Sequence, residues 1–553
     1  MQKNKRQNVK NVRSVIRQTV TGYAGLSLGI LLAVAGAIVT ALLPPWILGS
    51  IVDTITTGNT VPVALVILYF AFTVLTGLTE SLREGLLTVF GQKITHALRS
   101  SMMEKYTNLT AGELTKQEPG TIVSRFVGDV DTVENLFTSG IISMFADACK
   151  IISILVVIWL KNRGLAIVLL VLLPFLYWFT RAVQKNMLKA QIENRCAVGR
   201  ASGHVPETLH NIRTIHTLGK ERYMEQRYDE YIAESYRAVD RTNFYDAIYS
   251  PVILILNAIV VAVVMLFSAS GNAKVLTLFG MSAGTAIAVI NYISQIFTPV
   301  ESLGMEIQTI QSAIAGVHRI NEFYALEELP ERVRNLEIPV TTEEEMPFVE
   351  LQNVTFAYED DSRKILHHVS FKVYPGEQVT LLGRTGAGKS TVFKLLLGLY
   401  QPGEGKVLIQ GRDAFQIPEN EKRSLYGYVE QTFHRVPGTV KDQITLYDDS
   451  FTMEEVREAA RIAGLDATIE QLEKGYDTPC TQEIFSQGQW QLLSIARAAV
   501  AKPKLLLLDE ITANLDAQTE EEVLQALKRA SEGRTVISIS HRVNAETGRI
   551  IAI

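Results

Sequence analysis

Gly383-Arg384-Thr385-Gly386-Ala387-Gly388-Lys389-Ser390, followed by Thr391, fits the spacing GxxxxGK[ST]. The run QVTLL at 378–382 precedes it and reads as a strand, and TVFKLLLGLY at 391–400 follows it and reads as a helix. Each residue type has a physical reason. Glycines let successive backbone N–H groups turn inward and cradle phosphate oxygens at a helix N-terminus. Lys389 adds a point charge for the β and γ phosphates, and the Ser390 hydroxyl is placed to ligate Mg²⁺. A strand-loop-helix of this kind predicts a nucleoside triphosphate site in an α/β domain.

Working outward, KLLLLD at 504–509 and RTVISIS at 534–540 are short, continuous apolar runs, as in parallel strands buried on both faces. FVELQNVTFAY at 348–358 alternates like a half-exposed strand. The first of the apolar runs ends in Asp509 and Glu510, where a metal-associated carboxylate and a water-activating carboxylate are expected. Solvated acids at a strand end are the plainer reading of that pair taken alone, and the Gly383 loop argues against it. His541 follows the second run, a position that favours a contact to the γ-phosphate over a merely satisfied polar side chain.

The other half of the chain has a different texture. Tyr23–Ile51, Thr54–Thr79, Gly164–Thr180, Ala247–Ala273 and Val275–Val300 contain no Asp, Glu, Lys or Arg, and a bilayer crossing needs about 20 residues. A sixth stretch, Phe137–Leu160, is broken by Asp147 and Lys150 but is flanked by GIISMFA and IISILVVIWL. Buried helices of a soluble enzyme would not supply so many such runs. The reading is an all-α transmembrane domain over 1–325 with spans near 23–51, 60–88, 137–160, 163–183, 245–269 and 275–300, and two long loops, 91–136 and 184–243. An acidic, Pro-punctuated linker follows at 326–346, then a nucleotide-binding domain at 347–553. The 553 residues carry 47% hydrophobic side chains, and the mean hydropathy is +0.15, between soluble and purely membrane-embedded chains.

Lys and Arg bias sets orientation. The N-terminal leader has six, the 91–136 loop five and the segment Arg181–Arg241 eleven, against only Lys161, Arg163 and Lys274 on the other side. Both termini, both long loops and the nucleotide-binding domain are therefore expected on the cytoplasmic side of what is expected to be a bacterial plasma membrane. The net charge of −5 offers no basic excess for nucleic acid. Cys149, Cys196 and Cys480 are far apart, so neither a disulfide framework nor a zinc site is indicated. Asp147 and Lys150 stand on one face of the third span, as a functional pair or a structural one, and Asn291, Tyr177, Trp178 and Tyr292 are candidates to line a cavity or anchor at the interface.

Taken in order, these features resemble half-size ABC exporters across essentially the whole chain. The resemblance implies a Walker A loop at 383–391, Walker B at Asp509 and Glu510, a Q-loop glutamine at Gln431 (in YVEQT) between Mg²⁺ and the membrane domain, and an adenine-stacking aromatic at Tyr358. It also implies a D-loop at Ala513–Asp516, with Asp516 at the nucleotide, and a switch histidine at His541. The family's LSGGQ signature reads Phe485-Ser486-Gln487-Gly488-Gln489 here, so Ser486, Gly488 and Gln489 are the candidates to cap a nucleotide held by a second subunit. Phe485 and Gln487 depart from the pattern, as does DTPCTQEI before it, and the sequence stops twelve residues after His541, short of the family's usual C-terminal helical tail.

The implied activity is ATP hydrolysis, with Mg²⁺, driving alternating access of a membrane bundle and export of a small hydrophobic or amphipathic substrate such as a drug. A dedicated lipid or peptide exporter is the alternative, and an ATP-gated channel or regulator stands behind it. The altered signature points to pairing with a different half, a heterodimer, with a homodimer as the other possibility.

Overall fold

A computed structural model describes residues 11–268, 282–329, 346–358, 363–384, 386–511, 515–539 and 548–553. The chain divides into two compact units, Met1–Thr107 with Glu118–Leu326 and Asn108–Gln117 with Glu327–Ile553.

The first unit is helical. It comprises α1 (Val12–Gly22), α2 (Ala24–Thr56), α3 (Val63–Thr107), α5 (Pro119–Ser124), α6 (Val130–Asn135), α7 (Ile141–Lys161), α8 (Arg163–His210), α9 (Ile212–Leu218), α10 (Glu221–Ser268) and α11 (Ala283–Ala325); α4 (Ala111–Lys116) lies in the second unit. Two single π-turns, Arg125–Asp129 and Leu136–Gly140, flank α6. Among the described residues, Ala24–Thr56, Val63–Thr107 and the helical run Pro119–Lys161 are long and apolar enough to cross a membrane, and Leu254–Val263 and Ala283–Phe297 are shorter apolar stretches. Six long helices thus run through the six expected spans, except for 269–281, which lies outside the described residues.

In lipid, every freed backbone group needs an internal partner. Pro44 and Pro45 lie inside α2, and Pro44 removes the N–H that would bond the Thr40 carbonyl. The Thr76 hydroxyl of α3 donates to that carbonyl at 3.0 Å. One turn on, the Thr79 and Thr40 hydroxyls meet at 2.9 Å, so a short hydroxyl ladder joins α2 to α3 beside the proline. From α11, the buried Tyr292 hydroxyl donates to the Leu42 carbonyl at 2.5 Å. Near its C-terminal end α2 also holds the start of α11: Asp53 accepts from the Ser282 hydroxyl and the Gly284 N–H, each at 2.8 Å. A side chain at 284 is excluded, because its Cβ would lie 1.9 Å from the Gly49 carbonyl. Lower on α11, Arg319 grips the buried carboxylate of Asp129 with its Nε at 3.0 and 2.9 Å from the two oxygens.

The second unit is α/β. An antiparallel sheet has the order β2 (Leu366–Val373), β1 (Val349–Phe356), β4 (Glu404–Ile409), β5 (Arg412–Asp413). A parallel sheet has the order β6 (Tyr426–Val429), β7 (Leu505–Asp509), β8 (Thr535–Ile539), β3 (Gln378–Leu382), β9 (Arg549–Ala552). The expected strands 348–358, 504–509 and 534–540 correspond to β1, β7 and β8. Along β7, Leu505 and Leu507 enter one hydrophobic core while Leu506 and Leu508 enter another, so both faces of the sheet are covered, as a continuous apolar run requires. Full burial of each leucine contributes about 1.5–3 kcal/mol. The remaining helices are α12 (Lys389–Leu396), α13 (Glu419–Leu425), α14 (Val440–Thr445), α15 (Met453–Ala463), α16 (Asp466–Glu470), α17 (Gln487–Ala499) and α18 (Ala517–Ser531).

The proline repair in α2 gives a testable pairing. Thr76→Val leaves the Thr40 carbonyl bare and should destabilise the helical unit by about 1 kcal/mol. Adding Pro44→Ala restores an N–H to that carbonyl, and the double variant should regain the lost melting temperature in nanodiscs. Additive losses would show that the Thr76 bond does not serve the proline.

Candidate functional site

The loop between β3 and α12 takes its shape from close neighbours. Gly386 and Gly388 adopt φ of +85° and +98°, where residues with a Cβ are disfavoured. A Cβ at Gly388 would also come within 2.6 Å of Leu366, and one at Gly383 within 2.7 Å of the Ile553 carbonyl. Lys389 is only 5% exposed, and its Nζ donates to the carbonyls of Gly383 at 2.8 Å and Arg384 at 3.3 Å. A nearly buried ammonium beside a helix N-terminus and turned-in backbone suits a polyphosphate. Ser390 is exposed at the first turn of α12, while Thr391 is buried, its hydroxyl 3.2 Å from that of Tyr358. Tyr358 packs edge-on against Phe356 and Tyr400, and the Lys394 ammonium sits 5.3 Å from its ring centroid.

The C-terminal end of β7 brings the two acids to this loop. Tyr428 of β6 donates to Asp509 Oδ2 at 3.3 Å. Burial first, and then the Glu510 charge, push the Asp509 carboxyl above its ordinary range, while the nearby Lys389 ammonium opposes the shift. Glu510 itself adopts φ of +45°, left-handed for a residue with a side chain, and its N–H reaches the Ile539 carbonyl of β8 at 3.3 Å. Such strain concentrates at functional positions. Gln431 extends its Nε2 to Glu510 Oε2 at 3.4 Å, and its own carbonyl accepts from Gln491 of α17 at 2.7 Å. The structure therefore joins Gln431, Asp509, Glu510 and Lys389 in one cluster.

Ser486 and Gln489 form a capping box at the start of α17: the Ser486 N–H donates to the Gln489 amide oxygen at 2.9 Å, and the Gln489 N–H to the Ser486 hydroxyl at 3.3 Å. The departures from LSGGQ separate cleanly. Phe485 is buried, edge-on to Trp490 with centroids 5.2 Å apart, and Trp490 stacks on Phe433 at the same spacing. Arg497 lies 4.1 Å from the Phe433 centroid and donates to the carbonyls of Gln443 and His434, and burial lowers its pKa to about 10. Gln487, by contrast, is exposed at the helix tip. Asp516 caps α18 by accepting from the N–H and hydroxyl of Thr519 at 3.0 and 2.7 Å. Thr385, Ala513, Asn514 and His541 lie outside the described residues.

Thr519, Gln491, Tyr428 and the Phe433–Trp490 pair were not legible as site-supporting residues, since each acts through a tertiary contact that no motif spacing records. Thr519 makes a sharp case. A Cβ on Gly488 would lie 2.0 Å from its Cγ2. Gly488→Ala should therefore destabilise the second unit by about 1–3 kcal/mol, and Thr519→Ser, which deletes that methyl while keeping the hydroxyl, should recover most of it in a double-variant cycle read by thermal unfolding. An unchanged penalty would mean the contact is not what fixes the glycine.

Comparison with known proteins follows the same division. The ABC transporter transmembrane region family matches residues 26–300 and the ABC transporter family matches residues 366–513, together more than three quarters of the chain. An uncharacterized ABC transporter ATP-binding protein, YfiC of Bacillus subtilis, is 29% identical over 98% of this chain and 89% of its own length. An ATP-dependent lipid A-core flippase of Syntrophus aciditrophicus is 26% identical over 88% of this chain and 79% of its own. The structure of a bacterial Atm1-family ABC exporter with ATP bound superimposes with a TM-score of 0.77 at 25% identity, covering 98% of this chain and 94% of that one. The chain belongs to the ABC exporters: a multi-pass membrane protein in which the transmembrane region and an ATP-hydrolysing domain are fused in one polypeptide.

Proposed function

We propose that this chain is one half of a dimeric exporter in which ATP binding and hydrolysis drive a six-span bundle between inward- and outward-facing states. The observation that carries the reading is the cluster of Gln431, Asp509, Glu510 and Lys389 at the mouth of the glycine loop. In this reading ATP lies between one subunit's 383–391 loop and the other's Ser486, Gly488 and Gln489, with Tyr358 against the adenine and Asp516 and His541 completing the site. Glu510 orients and polarises the attacking water, and Lys389 stabilises charge that develops on the phosphates. Mg²⁺ would be held by Ser390, Asp509 and Gln431 and would neutralise phosphate charge.

The substrate is hydrophobic or amphipathic, taken from the bilayer or the cytoplasmic side, where both termini lie. A drug-like molecule is the first reading. A lipid is the second, favoured by the flippase among the relatives. Gln487 at the exposed tip of α17 brings bulk to the surface that would face a second subunit's nucleotide, which supports pairing with a different half.

ATP hydrolysis by the chain alone in nanodiscs tests the reading. Glu510→Gln should lower any turnover by roughly 10²- to 10⁴-fold, with ATP binding retained. If the chain alone turns over robustly, a homodimer suffices and the heterodimer preference fails. If it binds ATP but turns over only once a second half is supplied, the heterodimer stands. Wild-type turnover that survives Glu510→Gln would overturn the assignment of that residue.

A further inference from the structure

Between the end of β6 at Val429 and the start of α14 at Val440 the chain forms no helix or strand, yet this stretch carries Gln431 to Glu510. An amide on such a stretch keeps its aim only if the backbone beneath it is held, since connecting segments without ladder bonds are the mobile parts of a fold. Side chains of two helices hold it at three points. The Gln491 amide of α17 donates to the Gln431 carbonyl at 2.7 Å, and Arg497 of α17 donates to the His434 carbonyl at 2.9 Å. Gln443 of α14, fully buried, accepts from the Val436 N–H at 2.9 Å and donates to the Val436 carbonyl at 2.7 Å.

The fourth fastening is made by rings. Phe433 lies on Trp490 of α17 with centroids 5.2 Å apart and planes 25° apart. Trp490 meets Phe485 edge-on, and the guanidinium of Arg435 sits 5.7 Å from the indole centroid. A stacked pair contributes about 0.5–1.5 kcal/mol beyond its burial, and a cation over a ring adds to it. Two rings beside a core are ordinarily packing. Their places in the chain set these apart: Phe433 stands two residues after Gln431, and Trp490 directly follows Gln489. One indole is thus the shared neighbour of the stretch that aims Gln431 and of the turn that leads into Ser486 and Gly488.

We propose that Trp490 is a positioning residue: through Phe433 it sets the aim of the Gln431 amide at Glu510, and it ties that amide to the tip of α17, so that a displacement at one is felt at the other. The inference rests on the reading of the 383–391 loop as the nucleotide site with Gln431 beside it. A nucleotide that draws Gln431 toward its phosphates shifts Phe433, and the indole stacked on that ring changes surroundings.

The indole is its own reporter. Of the four tryptophans, Trp46, Trp159 and Trp178 lie in the helical unit and only Trp490 in the second. With Trp46→Phe, Trp159→Phe and Trp178→Phe in the full chain in nanodiscs, tryptophan emission comes from Trp490 alone. MgATP should shift that emission, and the shift should vanish in Gln431→Ala while equilibrium dialysis shows that ATP still binds. An indole that only fills space would stay silent or respond alike with and without Gln431, and either result with ATP bound overturns the inference alone. A chain that binds no ATP brings down the nucleotide reading and the inference with it. Turnover is the second arm, measured with a second half added where the chain needs one. Trp490→Ala should lower kcat by about 10²-fold with KM for ATP little changed, and Trp490→Phe, which keeps a ring against Phe433, should recover most of the loss. In Gln431→Ala, Trp490→Ala should cost nothing further. Full additivity of those two substitutions, or a Trp490→Phe variant as slow as Trp490→Ala, would overturn the proposal.

Discussion

The second unit is organised around one constraint: polyphosphate must be met by backbone N–H groups that point the same way, and only glycine lets a chain turn them so. The loop at Gly383–Gly388 is closed in from several sides, by Leu366 against Gly388 and by the Ile553 carbonyl against Gly383. The parallel sheet then delivers everything else to that edge. β3 ends in the loop, β7 ends in Asp509, and Gln431 follows two residues after β6. Ligand sites of open parallel sheets lie beyond the carboxyl ends of the strands, and the chain follows that rule with residues drawn from three strands.

The first unit answers to a different constraint. Its medium supplies no water, so structure is dictated by which backbone groups lack a partner. The hydroxyls of Thr40, Thr76, Thr79 and Tyr292 cluster where α2 carries its two prolines, and Asp53 supplies acceptors at the start of α11. Of these, Thr76 and Asp53 meet backbone groups that a proline or a helix start leaves without a partner in their own helix.

Much of this was legible in the sequence, and the reason is specific. The strands β1, β7 and β8 announced themselves through apolar runs, and the phosphate loop through spacing that flanking patterns confirmed. The membrane texture of the first half showed in five charge-free runs. What stayed hidden were contacts between distant positions. Gly488 was visible as part of a motif, but Thr519, whose methyl closes on it, was not, because nothing in the local pattern of α18 singles it out. The signature departures were visible as letters, yet only packing showed that Phe485 belongs to a core with Trp490 and Phe433 while Gln487 stands outside it. Ser486, Gln489 and Asp516 were read for a place near a nucleotide; what the fold shows is that they fasten helix ends.

The left-handed backbone at Glu510 bears on how this protein responds to engineering. A side chain in that conformation costs roughly 1–2 kcal/mol that glycine would not incur, so replacement by glycine in particular relieves backbone strain at this position. A library selected only for heat resistance would drift toward replacement at this position and return sturdier transporters with an empty post beside Gln431. Any thermostabilised version has to be sorted for turnover as well as for survival, because at this residue the two criteria pull in opposite directions.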